Sequence, residues 1–232
     1  AQMDIPLIIG YASYEASVVF GLGQTPDREW GERLVQQFKI APRFSFGDLQ
    51  RLYGTTDDAK LATFLYRDVI YGLPAQLLAG SHAANKKNPV WVYRFGYASG
   101  RSKVLAPDQA GHSADVAYLF GTFPRPVDGR PAKSVPGLEN DLAVSDLMAT
   151  YWINLAANGD PSRPYHWPAR STEPKSPPAW GRYEPARENI LLIDNGGIKG
   201  GIRVHEQERL NQDRRPLLQH LQGVFSGDDP AR

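Results

Sequence analysis

The sequence predicts an α/β fold built on a mostly parallel sheet with helical insertions. Residues 5–9 form a short apolar run that ends at Gly10, a pattern typical of a strand buried on both faces of a parallel sheet. Residues 90–97 are rich in β-branched and aromatic residues and predict a second core strand. Helical patterns fill much of the chain between these two runs. The order strand, helices, strand is that of an α/β sheet.

The first strand is followed by a predicted loop over residues 11–25 and then by four predicted helices. Each helix has a capping residue or a proline where a helix begins or ends. The four are a helix over 28–39 capped by Asp27, a short one from Ser45 to Tyr53 with a capping box, a third from Asp57 to Pro74, and a fourth from Pro74 to about Ala84.

Beyond the second strand the sequence predicts a long polar loop that continues through Gly111. Prolines indicate irregular structure over residues 124–136 and 161–185, because proline lacks the backbone donor that helices and sheets use. The regular elements are a helix over 141–158 that stops at Gly159, a hairpin over 190–204 that turns at 195–197, and a C-terminal helix from about His205 that is kinked or restarted at Pro216.

Composition excludes several functional classes. The 232 residues include 26 Lys and Arg against 25 Asp and Glu, and no segment concentrates basic residues, so a nucleic-acid partner is not expected. The absence of cysteine excludes disulfides, cysteine nucleophiles and thiolate metal sites. The apolar runs fall far short of the ~18 residues that a spanning helix needs, so no membrane span is predicted. No segment of the chain indicates a compartment.

The loops after the two core strands contain the residues best suited to catalysis, Glu15 and His112. A carboxylate can accept the Nδ1 proton of an imidazole whose Nε2 then acts as general base. No serine of the chain has glycine at both the −2 and +2 positions, so the nucleophile elbow of a serine hydrolase is not found in it. No group of His, Asp and Glu has the spacing of a metal site, and we expect neither a metal nor another cofactor.

Four segments resemble motifs of the type-B carboxylesterase/cholinesterase family, in the order in which the family has them. One contains Glu15 and is similar to the segment whose glutamate is the acid of the catalytic triad. Another contains His112 and is similar to the segment whose histidine is the base. The four are LIIGYASYEAS at 7–17, PVWVYRF at 89–95, GHSADVAYLFG at 111–121, and MATYWINLAANGDP at 148–161 followed by Trp167 and Pro168.

This resemblance implies an α/β-hydrolase fold, with residues 1–232 as the C-terminal portion of a single carboxylesterase-type domain. It implies hydrolysis of carboxylic esters by a Ser-His-Glu triad to which this chain supplies Glu15 and His112. The nucleophilic serine and the oxyanion glycines would belong to an N-terminal part that is not in this chain. The expected partners are therefore the N-terminal remainder of the same protein and a small-molecule ester substrate.

The sequence departs from the family pattern beside both catalytic positions. Tyr14 and Ala16 stand where the family has Asp and Gly around the acid, and Ser113 stands where it has Gly after the histidine. Val18 and Val19 occupy positions that carry cation-facing aromatic residues in cholinesterases. They are predicted to line the substrate gorge, with a place in the hydrophobic core as the alternative. In the gorge they would disfavour choline esters, because a quaternary ammonium group binds to aromatic faces.

A second hypothesis comes from a different functional class. The chain could belong to a cholinesterase-like domain that uses the fold for binding or adhesion and lacks the chemistry. The presence of both Glu15 and His112 favours the esterase, because a non-catalytic relative has no chemical reason to keep the pair.

Overall fold

The computed structural model describes residues 3–23, 26–41, 43–85, 87–98, 110–122, 137–165, 177–195, 202–208 and 214–227. Its strands form one sheet in the order β1-β2-β3-β4, with the bounds Leu7–Ala12, Val90–Phe95, Ile190–Asn195 and Ile202–Gln207. The first three strands are parallel, and β4 runs antiparallel to β3. The predicted α/β class is confirmed, as is the pairing of the predicted hairpin.

Strand β1 differs from its prediction in position and in burial. It includes Tyr11 and Ala12, which were predicted to lie in a loop, because these residues continue the ladder opposite Arg94 and Phe95 of β2. Its residues 7–10 are half-buried and not buried on both faces, since β1 is the edge strand of the described sheet.

The helices between β1 and β2 carry the predicted capping interactions. Asp27 accepts the backbone N–H of Trp30 at 2.7 Å, and Ser45 and Asp48 form a reciprocal capping box. The helices are α1 (Ser17–Gly21), α2 (Arg28–Gln37), α3 (Phe46–Tyr53), α4 (Asp58–Tyr66) and α5 (Leu73–Asn85), with a π-helical segment over Arg67–Gly72 between the last two.

Two features of this helical insertion were not predicted. The short helix α1 lies inside the predicted loop over 11–25. The third predicted helix does not run to Pro74, because the chain widens into the π-helical segment after Tyr66 and re-enters an α-helix at Leu73. Pro74 then lies in the first turn of α5, as predicted.

The C-terminal half contains α6 (Ala114–Leu119), α7 (Leu138–Asn158) and α8 (Arg215–Ser226). Helix α7 ends at Gly159 in the left-handed conformation, as predicted. The predicted start of the C-terminal helix at His205 is wrong, because His205 lies on β4 opposite Leu192. The helix begins at Arg215, beside Pro216, where the sequence predicted a kink or a restart. Residues 124–136 and the hairpin turn at 196–197 lie outside the described residues. The described parts of 161–185 contain neither helix nor strand.

Both faces of the sheet are covered, and β2 shows how. Trp91, Tyr93 and Phe95 point to the face that α7 covers, while Val90 and Val92 point to the opposite face near α5. The helical insertion has its own cluster, which Leu217 and Leu221 of α8 complete. These layers bury the body of the sheet and leave the carboxyl ends of β1 and β2 free to carry loops, which is where ligands bind in open α/β sheets.

Candidate active site

The loops that follow β1 and β2 run side by side beyond the ends of their strands. The N–H of Ser13 donates to the carbonyl of Phe95 at 2.8 Å, and the N–H of Tyr14 donates to the carbonyl of Ala110 at 2.9 Å. Tyr14 and Gly111 form an isolated parallel bridge. Each loop continues from that bridge into one of the two predicted catalytic residues, so the backbone brings these residues together.

Glu15 and His112 form a direct contact at this point. Oε2 of Glu15 lies 2.5 Å from Nδ1 of His112, and Oε1 accepts the backbone N–H of Ala12 at 2.6 Å. Glu15 is only 3% exposed, whereas the His112 side chain is 36% exposed. The carboxylate therefore has both oxygens engaged, and Nε2 of the imidazole has no hydrogen-bond partner among the described residues.

Two serines hold the loops in this arrangement. Oγ of Ser13 accepts the backbone N–H of Ala110 at 2.9 Å, and Oγ of Ser17 accepts the backbone N–H of His112 at 2.7 Å. Sequence analysis considered both serines only as nucleophiles. The signal for their role is their place two residues before and two residues after the acid, where a short hydroxyl side chain can reach the neighbouring loop.

The backbone just after the base explains one departure from the family pattern. Ser113 has φ of +61° and ψ of +13°, the left-handed region that favours glycine. Its side chain makes no capping hydrogen bond to α6. The family's glycine at this position suits the turn, and this chain makes the same turn with a serine at a conformational cost.

Asp115 lies close in sequence to the base but binds elsewhere. Its carboxylate accepts the hydroxyl of Tyr93 at 2.6 Å, and burial and Asp115 together hold the pKa of Tyr93 well above its usual range. The Tyr93 ring crosses β1 at Gly10, where an added Cβ would lie 2.3 Å from the ring. This contact fixes α6 against the sheet below His112 and explains why the motif has glycine at position 10.

The two valines predicted to line the gorge lie on α1. Val19 is 4% exposed and belongs to the core of the helical insertion, and Val18 is half-buried against the same cluster. Their role in contacting substrate stays a prediction. Tyr71, which was not selected from the sequence, lies beside the base, with its ring centroid 5.4 Å from that of His112.

The part of the chain that the structure describes contains no group of three or more His, Cys, Asp or Glu side chains that could hold a metal ion. Within the same residues, no helix combines the length and the apolar character needed to cross a membrane.

Comparison with known proteins identifies the fold and the family. The crystal structure of Aspergillus niger EstA superposes with a TM-score of 0.62 at 14% identity, covering 95% of this chain and 40% of that one. Neuroligin-3 from Mus musculus is 28% identical over 167 residues, which cover 70% of this chain and 19% of that protein. Carboxylesterase 1C from Rattus norvegicus is 30% identical over 124 residues, which cover 50% of this chain and 21% of that protein.

The chain thus spans about a fifth of the length of these two relatives. The family model described as the carboxylesterase family matches residues 49–212, which is well over half of the chain and includes His112. By this match, and with the fold of a carboxylesterase-type α/β-hydrolase, the chain belongs to the carboxylesterase family.

Proposed function

We propose that this chain supplies the acid and the base of a Ser-His-Glu triad that hydrolyses carboxylic esters, with Glu15 as the acid and His112 as the base. The observation that carries the proposal is the contact between Oε2 of the buried Glu15 and Nδ1 of His112 at 2.5 Å. Family membership supports the class of reaction, and the geometry supports the choice of residues.

The roles of the two residues follow from their hydrogen bonds. The carboxylate accepts the Nδ1 proton, which leaves Nε2 as the basic nitrogen. Nε2 takes the proton of a serine hydroxyl while that oxygen attacks the ester carbonyl carbon, and it then protonates the departing alkoxide. A water molecule is deprotonated in the same way to release the acid product. Glu15 stabilises the imidazolium that forms in each step.

The nucleophile and the oxyanion donors come, in this proposal, from the N-terminal remainder of the same protein. Two serines beside the pair, Ser13 and Ser17, each accept a backbone N–H of the neighbouring loop. These contacts give them a structural role and leave the attacking hydroxyl to another segment. The 40% of EstA that the chain covers leaves room for that segment in a related fold.

A binding domain without catalysis is the second candidate. Neuroligin-3, whose name refers to no esterase activity, is among the relatives of this chain. The two candidates differ in what the exposed imidazole does, because a binding domain gains nothing from a base at His112. Loss of the imidazole therefore separates them.

The test uses the full-length protein that contains this chain and the turnover of a p-nitrophenyl ester. In a well-studied serine protease, removal of the base alone lowers kcat about 10⁶-fold, and we expect His112→Ala to remove at least about 10⁴-fold by the same mechanism. His205→Ala is the matched control, since His205 lies on β4 at the opposite edge of the sheet from β1. Equal activity of the two variants would contradict the proposal and favour the binding domain.

A further inference from the structure

The π-helical segment over Arg67–Gly72 lies beside the candidate active site. It places Tyr71 against the base, with 5.4 Å between the ring centroids of Tyr71 and His112 and an interplanar angle of 52°. A π-helical turn shifts the direction of the side chains that follow it, and such turns occur frequently at functional sites. This shift determines which residue of the insertion faces the imidazole.

A buried ionic cluster holds the start of this segment. Nε of Arg67 donates to Oδ1 of Asp68 at 2.6 Å, and both side chains are buried. The hydroxyl of Tyr53 donates to Oδ2 of Asp68 at 2.9 Å, and Arg214 approaches the same oxygen at 3.3 Å. Breaking such a cluster would leave buried charges unpaired, so the first residues of the segment have a single well-defined position.

The end of the segment is held by a close contact with the sheet. Gly72 packs against the ring of Tyr11 on β1, and an added Cβ would lie 3.3 Å from that ring. The backbone on both sides of Tyr71 is therefore fixed, by the ionic cluster before it and by the sheet after it. A side chain on such a backbone can orient a neighbour accurately.

The Tyr71 side chain is also fixed through its ring. Tyr71 packs against Tyr66 at 6.0 Å between centroids, and Tyr66 packs against Trp30 at 5.1 Å. Burial first, then Tyr66 and the charge of Glu15, raise the pKa of Tyr71 to about 12. The phenol is therefore neutral at neutral pH.

We propose that Tyr71 is a positioning residue for the Glu15–His112 pair. Its ring rests against the imidazole, restricts rotation of that ring away from the carboxylate, and reduces access of water to the hydrogen bond between Nδ1 and Oε2. A hydrogen bond sheltered from water is stronger than an exposed one, and a small displacement of a catalytic group costs rate. The inference rests on the proposed function for its effect on rate, but not for its effect on the hydrogen bond.

The test compares Tyr71→Leu with Tyr71→Phe in the full-length protein. Leucine removes the aromatic face, and we expect kcat for a p-nitrophenyl ester to fall about tenfold, a size typical of one lost aromatic contact, with KM little changed. Phenylalanine keeps the face and should retain kcat within about threefold. Phe38→Leu is the matched control, because Phe38 is also half-buried on the helical insertion but packs on Phe225 of α8, with 6.0 Å between the ring centroids.

A second readout does not depend on activity. The proton shared between Nδ1 and Oε2 should give a low-field NMR resonance, assigned by its loss in His112→Ala. Tyr71→Leu should broaden this resonance through faster exchange with water, while Tyr71→Phe and Phe38→Leu should preserve it. If the full-length protein shows no esterase activity but the resonance still depends on Tyr71, the proposed function fails and the positioning role stands. If Tyr71→Leu leaves both kcat and the resonance unchanged, or if Phe38→Leu reduces both equally, the inference is overturned.

Discussion

Replacing Glu15 by glutamine tests the acid, because the surroundings decide how the new amide must sit. Oε1 of Glu15 accepts the backbone N–H of Ala12 at 2.6 Å, and Oε2 faces Nδ1 of His112 at 2.5 Å. The amide has to keep its oxygen towards Ala12, since its NH2 group there would face another donor. The NH2 group then donates to Nδ1, which forces the imidazole into the tautomer that carries its proton on Nε2.

That tautomer cannot take a proton from a serine at Nε2, and the amide cannot stabilise an imidazolium. The equivalent acid-to-amide replacement in a Ser-His-Asp triad lowers kcat about 10⁴-fold, which corresponds to about 5 kcal/mol of transition-state stabilisation. We expect a loss of the same order for Glu15→Gln in the full-length protein, measured as kcat with a p-nitrophenyl ester. KM should change little, because the Glu15 carboxylate has both oxygens engaged within the protein.

Asp115→Asn is the matched control for this experiment. Asp115 is the nearest other carboxylate in the sequence of the His112 loop, but it accepts the hydroxyl of Tyr93 at 2.6 Å. Removal of its charge should therefore lower kcat by less than about tenfold, the size of one ordinary hydrogen bond. Activity of Glu15→Gln within a few-fold of the parent would refute the reasoning, and a large loss in Asp115→Asn would identify Asp115 as the acid.

Three further predictions concern the surroundings of the pair. Gly10→Ala should lower the free energy of unfolding in urea by about 2–3 kcal/mol, because the new Cβ would lie 2.3 Å from the Tyr93 ring. Gly80→Ala is the control at a helical position with open space, and it should raise the free energy of unfolding by about 0.5–1 kcal/mol. Similar effects of the two substitutions would contradict the packing argument. Ser113→Gly should raise the unfolding midpoint, since relief of the left-handed conformation (about 1–2 kcal/mol) exceeds the entropy cost of glycine (about 0.5–1 kcal/mol); a lower midpoint would show that the turn is not strained. The full-length enzyme should prefer neutral esters to choline esters of the same acyl group, because Val18 and Val19 offer no aromatic faces, and the opposite ratio of kcat/KM would remove both valines from the gorge.

Elements with strong local signals were predictable from the sequence. Helices α2 and α3 begin where Asp27 and Ser45 provide caps, and α7 ends at Gly159, because each of these signals acts within one helical turn. Short elements without such signals were missed. Helix α6 has no side-chain cap, and the sequence around His205 has mixed charge that suits a surface helix as well as an edge strand. Only the pairing of His205 with Leu192 on β3 makes this segment a strand.

Residue types and short motifs were enough to predict the class of fold and the family, and they selected Glu15 and His112 as the candidate acid and base. The tertiary structure decided how they meet. Glu15 and His112 are 97 residues apart, and the parallel pairing of β1 with β2 and the bridge between Tyr14 and Gly111 bring them into contact. It also decided that a π-helical turn places Tyr71 on the imidazole, because the ionic cluster and the sheet contact that hold that turn come from distant segments of the chain, which local sequence patterns do not encode.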